Sequence, residues 1–233
     1  MKTLILLLLF AVTGTALPAQ KIIEENYPLS KSETLSMDFK YAQHIKITSW
    51  NKSGVGVKVT VSINGDSQNN ALELKSEKKD GTLRLYSKLD DALLNKNWVR
   101  VSGEDDKHNN HYYRGNNGDV FVQTDIVYEI FVPQNTKIIA NSWSGNIEIR
   151  NLQSPDIYAK SLSGFIDMDW KENSGANISL KSISGEVYSD LEIDFENFKQ
   201  NPIVGYKLCG KFKNGGSRLY LESISNDVYL RKM

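Results

Sequence analysis

Residues 141–150 read NSWSGNIEIR, and the pattern returns as KSLSGFIDMD from 160, KSISGEVYSD from 181 and ESISNDVYLR from 222. Each copy runs Ser-apolar-Ser-Gly, with Asn226 replacing the glycine in the last. The second serines fall at 144, 163, 184 and 225, a step of about twenty residues and then about twice that. The flanking columns agree. Ile138, Ile157, Ile178 and Leu219 lead, followed by Ala140, Ala159, Leu180 and Leu221. Trp143, Leu162, Ile183 and Ile224 stand between the serines, and Ile147, Ile166, Val187 and Val228 follow.

Apolar residues are two apart before the serines and two apart again after the glycine, but with the parity reversed. A strand cannot change its inward face without a bend or bulge. Ser142, Ser144 and Gly145 therefore read as a structural corner, as do Ser161, Ser163 and Gly164, Ser182, Ser184 and Gly185, and Ser223, Ser225 and Asn226. Glycine and asparagine suit a site needing positive φ or close backbone approach, and small hydroxyl residues bond local backbone groups. A single strand–corner–strand unit cannot bury its own apolar face, so the units must stack. The expectation is an all-β fold, a β-solenoid of parallel β-helix type with ~20-residue coils, in which residues one period apart lie above one another. At ~4.8 Å per stacked strand, some ten coils would give a rod about 45–50 Å long. An antiparallel sandwich of hairpins is the competing account, but it gives no reason for one pattern to repeat in the same columns.

Elsewhere the chain also reads as strand. In GVGVKVTVSI, Val55, Val57, Val59, Val61 and Ile63 alternate with Gly56, Lys58, Thr60 and Ser62, the signature of a half-buried strand. Only 90–97 suggests a helical turn. Residues 20–125 carry strands without the serine motif and read as a less regular β extension, continuous with the repeat region 126–233. Residues 1–19 have a lysine start, the apolar run Leu4–Val12 and small residues up to Ala19. That is the layout of a secretory signal peptide, and the run is shorter than the ~20 residues of a membrane-spanning helix. The protein is thus expected to be exported: periplasmic, at the cell surface or secreted. Lys plus Arg equal Asp plus Glu at 28 each, so no overall field draws nucleic acid. Cys209 is the single cysteine, which excludes an intramolecular disulfide and suits a small buried apolar role.

Val132-Pro133, the Ser-x-Ser-Gly copies and Ser225-Asn226-Asp227-Val228 together resemble the bacterial putative-adhesin family of secreted β-solenoid proteins. The resemblance covers about 126–233 well and the N-terminal half loosely. It implies a secreted or surface β-solenoid, and it carries no active site or cofactor.

Candidate chemistry concentrates in the polar insertion at about 102–118. Glu104, Asp105, Asp106, His108 and His111 stand close in sequence there, and carboxylates with imidazoles can hold a divalent cation. A loop lacks the frame that converges such ligands, so no metal is assigned. With Trp98, the residues His108, His111, Tyr112 and Tyr113 make a candidate contact loop with aromatic anchors. Gly-x-Ser-x-Gly is absent, and geometry accounts for the repeated serines. The expected function is a non-enzymatic surface or envelope binding protein that contacts an unidentified protein or glycan through a repetitive outer face. A carbohydrate-active enzyme is the alternative, with Asp167, Asp169, Glu186 and Asp190 as carboxylates on equivalent faces. A structural or sensor envelope protein is the third reading.

Overall fold

The computed structural model describes residues 20–94, 109–115, 118–196 and 205–233; residues 1–19, expected above to be a signal peptide, lie outside the described residues. In chain order the first strands are β1 (Lys21–Tyr27), β2 (Thr34–Phe39), β3 (His44–Trp50), β4 (Val55–Ile63), β5 (Leu72–Lys79) and β6 (Thr82–Leu89). After the turn α1 (Asp91–Leu94) come β7 (Asn109–Gly115), β8 (Gly118–Pro133), β9 (Lys137–Ser142), β10 (Asn146–Arg150), β11 (Asp156–Ser161) and β12 (Ile166–Trp170). The chain ends with β13 (Ala176–Ser182), β14 (Val187–Ser189), β15 (Ile193–Phe195), β16 (Leu208–Phe212), β17 (Ser217–Ser223) and β18 (Val228–Lys232).

These strands form two nine-stranded sheets. The first has the order β1-β4-β8-β3-β10-β12-β18-β14 with β7 alongside β8; the second has the order β15-β16-β13-β17-β11-β9-β2-β6-β5. Alternation decides what faces inward. On β4 the valines and Ile63 are buried while Lys58, Thr60 and Ser62 are not. On β9 and β11, Ile138, Ala140, Ile157 and Ala159 face inward, and across the corners Ile147, Ile149, Ile166 and Met168 close the core from the other sheet. Phe39 and Tyr128 stack within it at 4.1 Å. Each fully buried aliphatic side chain of this kind contributes about 1.5–3 kcal/mol. Strands from either side of residue 125 share both sheets, since β2 pairs with β9 and β3 with β10.

The all-β expectation holds, whereas winding in chain order does not. Each repeat gives one strand to each sheet, and β9–β10 stacks in register on β11–β12: Ser161 lies beside Ser142 and Ile166 beside Ile147. The next layer, however, is the C-terminal unit. β17 pairs with β11 on one side and β13 on the other, and β18 lies between β12 and β14. The corners therefore run 144, 163, 225, 184. Ser184 is separated from Ser163 by the layer that carries Ser225. The chain skips a slot after β12, forms β13–β14, runs back antiparallel along β13 as β16, and then fills the slot with β17–β18. Equivalent corners fit one another in any order, so a period fixes that units stack but not their sequence.

The parallel stack is also shorter than a ten-coil rod. Antiparallel strands close both ends: β4 on β8 and β5 on β6 at one, β16 on β13 and β15 on β16 at the other. Local turn chemistry explains the β5–β6 pair. Asp80 and Gly81 both have positive φ (50° and 71°) between the paired residues Lys79 and Thr82, a two-residue hairpin that parallel strands cannot use.

Candidate binding surface

The first serine of each motif is buried, and in three of the four its hydroxyl works in two directions. Ser161 Oγ accepts the Gly164 N–H (2.9 Å) and donates to the Gly145 carbonyl of the layer beside it (2.9 Å). Ser223 Oγ accepts from Asn226 N–H (3.0 Å) and donates to the Gly164 carbonyl (2.9 Å). Ser182 Oγ accepts from Gly185 N–H (2.9 Å) and donates to the Asn226 carbonyl (2.7 Å), while Ser142 Oγ accepts from Gly145 N–H (2.8 Å). Backbone pairing continues through the bend, with Ser163 N–H on the Trp143 carbonyl, Ser225 N–H on that of Leu162 and Ser184 N–H on that of Ile224. Gly145, Gly164 and Gly185 do not have positive φ. They are small because layers touch: a Cβ at Gly164 would lie 2.2 Å from the Gly145 carbonyl oxygen, and one at Gly145 would lie 2.6 Å from that of Ala42. The second serines point outward or sit half-buried, and between them Trp143 (54% exposed) and Leu162 (46% exposed) begin an apolar stripe that continues through Ile224 and Ile183.

The outer face of the second sheet carries a row set by register: Ile139, Tyr158, Tyr220, Ser179 and Cys209 on neighbouring strands. Tyr158 and Tyr220 stack with ring centroids 4.7 Å apart and planes within 5°. The pair is a fin, with one ring face of each tyrosine turned away from its partner. Smaller neighbours leave space on both sides. Thr34, Lys137, Ile139, Asp156 and Tyr158 line a cavity of about 470 Å³. On the far side, Asn177, Ser179, Cys209, Lys211, Arg218 and Tyr220 line one of about 410 Å³, and Asp156 reaches both. Glu222 is buried beside the fin, where it receives the Tyr220 hydroxyl and lies 3.5 Å from Lys160 and 3.2 Å from Lys181. Burial works to raise its pKa, but those hydrogen bonds and ammonium charges win and hold the carboxyl below the usual range. Over β9, β11, β17 and β13 the outward cations Lys137, Lys160, Lys181 and Arg218 outnumber Asp156 and Glu222.

The first sheet's outer face is built otherwise. Its central row reads Lys58, Glu129, Lys46, Glu148, Asp167, Tyr229, Tyr188. Arg150 and Arg231 both engage Asp167, at 2.9 Å each. Burial works to raise the Asp167 carboxyl, yet these two guanidinium groups hold it below its ordinary value. Burial raises Asp169, which accepts the Asn151 N–H at 2.8 Å. Asp190 accepts the Lys232 N–H, and Glu186 the Tyr188 hydroxyl. The carboxylates considered for an enzyme are thus each engaged by a neighbour. Tyr188 and Tyr229 also stack, at 5.1 Å, but the Arg231 guanidinium covers Tyr229 at 4.7 Å.

A family model described as Toastrack DUF4097 matches residues 32–201. The chain belongs to the Toastrack DUF4097 family. Among solved structures, a putative cell adhesion protein from Clostridium sporogenes is similar over 92% of this chain and all of its own, with a TM-score of 0.54 and 14% identity, which shows a shared fold. A putative adhesin from Bacteroides fragilis aligns over 93% of this chain and 99% of its own (TM-score 0.25, 12% identity). A putative lipid binding protein from Parabacteroides distasonis aligns over 92% and 96% (TM-score 0.28, 10% identity). A search of curated proteins finds no match.

In this Toastrack chain the predicted contact loop is partly strand. His111, Tyr112 and Tyr113 lie on β7, paired with Val122, Phe121 and Val120 of β8, so 109–115 is sheet and not loop. Trp98 and His108, with Glu104, Asp105 and Asp106, lie outside the described residues. Among the described residues no group of His, Cys, Asp or Glu is arranged to hold a metal, and no helix is long and apolar enough to cross a membrane. Cys209 is half-buried on the outer face beside Ser179, not a core residue. The tyrosine fin escaped the sequence reading because Tyr158 and Tyr220 meet only through the displaced C-terminal layer.

Proposed function

We propose that this protein is an exported, non-enzymatic binding module of adhesin type that contacts a protein or glycan at the cell surface or envelope. The observation that carries the reading is the in-register stack. It repeats each outward position strand after strand at a step of about 4.8 Å, so contacts recur along the rows Lys46–Glu148–Asp167–Tyr229 and Ile139–Tyr158–Tyr220–Ser179. Repeated weak contacts reinforce one another once the first has formed, because the later ones become intramolecular. The leader pattern at 1–19 supports export, and the structure that shares the fold, a putative cell adhesion protein, fits adhesion. The buried serine ladder supports a structural use of the motif, since each hydroxyl is held by backbone groups.

The test is retention of the exported protein, displayed in many copies on beads, on an array of extracellular proteins and polysaccharides, with released fragments measured alongside. Retention with no fragment release is expected. Fragments whose release stops on Asp167→Asn or Asp169→Asn would assign a carbohydrate-active enzyme instead.

A further inference from the structure

We propose that the outer face of the second sheet binds an acidic glycan, a chain bearing uronate-type carboxylates, by seating sugar rings against the two open faces of the Tyr158–Tyr220 fin. This rests on the binding-module reading above and gives it a face and a ligand class.

Three features of the face converge. Stacking hides one ring face of each tyrosine and leaves the other as the wall of a cavity, at about 470 Å³ beside Tyr158 and about 410 Å³ beside Tyr220. These volumes fall within the range of small-ligand sites, and the apolar face of a pyranose packs on an aromatic wall. Each cavity also has hydrogen-bonding groups at its rim: Thr34 and Asp156 on one side, Asn177 and Ser179 on the other. The two cavities lie on opposite sides of the fin, whose rings are themselves 4.7 Å apart, so they are more than one strand step of about 4.8 Å apart and are filled by different sugars of one chain.

Charge selects the acidic class. Glu222 is shared by Lys160 and Lys181, so one carboxylate answers two ammonium groups. Asp156 is paired with Arg218 and Glu196, which also lines the Tyr220 side, with Lys211, and Lys137 has no ion-pair partner among the described residues. The surplus is positive although the whole chain is neutral, and local surplus of this kind attracts an anion to its own face. A membrane fits less well, because Tyr158 and Tyr220 are both half-buried rather than exposed.

The full chain, expressed with its leader and purified from the exported fraction, is titrated with a fluorescent oligogalacturonate, a neutral maltooligosaccharide of equal length and phosphatidylglycerol vesicles. Binding of the oligogalacturonate alone is expected, weakening with added salt and leaving its chain length unchanged. Tyr158→Ala and Tyr220→Ala should each weaken it about tenfold, and Arg218→Ala with Lys137→Ala should flatten the salt dependence. Tyr188→Ala on the opposite sheet should bind as the parent does. Thermal midpoints of all variants check that the fold is kept. Equal binding of the neutral chain, or retention unchanged in both Tyr→Ala variants, overturns the site. Capture by the vesicles without the oligosaccharide assigns the face to a membrane and overturns it as well. Retention on an array protein alone overturns the glycan and leaves the binding-module reading intact, whereas shortened oligosaccharide overturns that reading itself.

Discussion

The two outer faces come from the same repeat, and each carries a pair of stacked tyrosines, yet the pairs are not equivalent. On the first sheet Tyr229 lies under the Arg231 guanidinium, and Arg231 is itself held by Asp167. That ring is covered by its own neighbours, while Tyr188 at the sheet edge stays 45% exposed, and along the face Glu129, Glu148, Asp167, Asp169 and Asp227 outnumber Lys46, Lys58, Arg150 and Arg231. On the second sheet the neighbours of the pair are Ile139 and Ser179, too short to cover a ring, and cations are in surplus. Parallel in-register stacking supplies the rows. What stands one strand away from an aromatic pair decides whether its faces remain available.

The largest effect is expected where the faces join. Gly164→Ala places a Cβ 2.2 Å from the Gly145 carbonyl oxygen, and rigid backbone cannot yield as a side chain can. Overpacking of this kind costs about 1–3 kcal/mol or more, a fall in thermal midpoint of several degrees, at about 2–4 °C per kcal/mol for a chain of this size. Both faces should be weakened together. An unchanged midpoint by calorimetry would mean that the layers are not in contact there.

Next in size is Glu222→Gln, which acts on the second sheet alone. It removes the shared partner of Lys160 and Lys181, and a buried, charge-assisted hydrogen-bonded group of this kind is worth about 1.5–3 kcal/mol. The same residue predicts a pH dependence. The folded pKa of Glu222 lies below its unfolded value, so its contribution is complete above that unfolded value, about 4.3. It is lost as pH falls through the depressed folded value. Denaturant midpoints measured downward from pH 6 should drop less steeply in the Gln variant than in the parent.

Arg231→Ala should sharpen the comparison at smaller cost, about 1 kcal/mol or less for a half-exposed pair. It uncovers Tyr229 and removes one of the groups that depress Asp167, whose pKa, followed by NMR titration, should rise. Trp143→Ala on the apolar corner stripe is expected to change stability by no more than about 0.5 kcal/mol. A loss of several kcal/mol by chemical denaturation would show that the stripe belongs to the core.

Much of this architecture was legible in the sequence. Period-two alternation gave β4, and the parity reversal placed the bends at Ser142–Gly145 and Ser161–Gly164. The reason for the glycines was only half legible, because close approach rather than positive φ decides them. Nor could the pattern separate the buried first serines from the more exposed second ones. Layer order was hidden for a physical reason: Ser182 is as good a donor to Asn226 as Ser161 is to Gly145, so interchangeable corners do not encode who neighbours whom. Everything that depends on that order was hidden with it, the Tyr158–Tyr220 fin and the Lys160–Glu222–Lys181 group above all. The strand β7 was missed because its polar residues show no period, and its pairing with β8 is what orders it.

The account therefore turns on the position of the C-terminal layer, which cysteine pairs report directly. In a Cys209→Ser background, one variant carries Ser163→Cys with Ser225→Cys and another Ser163→Cys with Ser184→Cys. Adjacent strands lie about 4.8 Å apart and the next layer about twice that, while a disulfide needs Cα atoms within about 7 Å. Air oxidation of the folded protein should close the 163–225 bridge and leave 163–184 as free thiols by mass spectrometry. A 163–184 bridge formed in preference would restore chain order, separate Tyr158 from Tyr220 and contradict the arrangement of both faces.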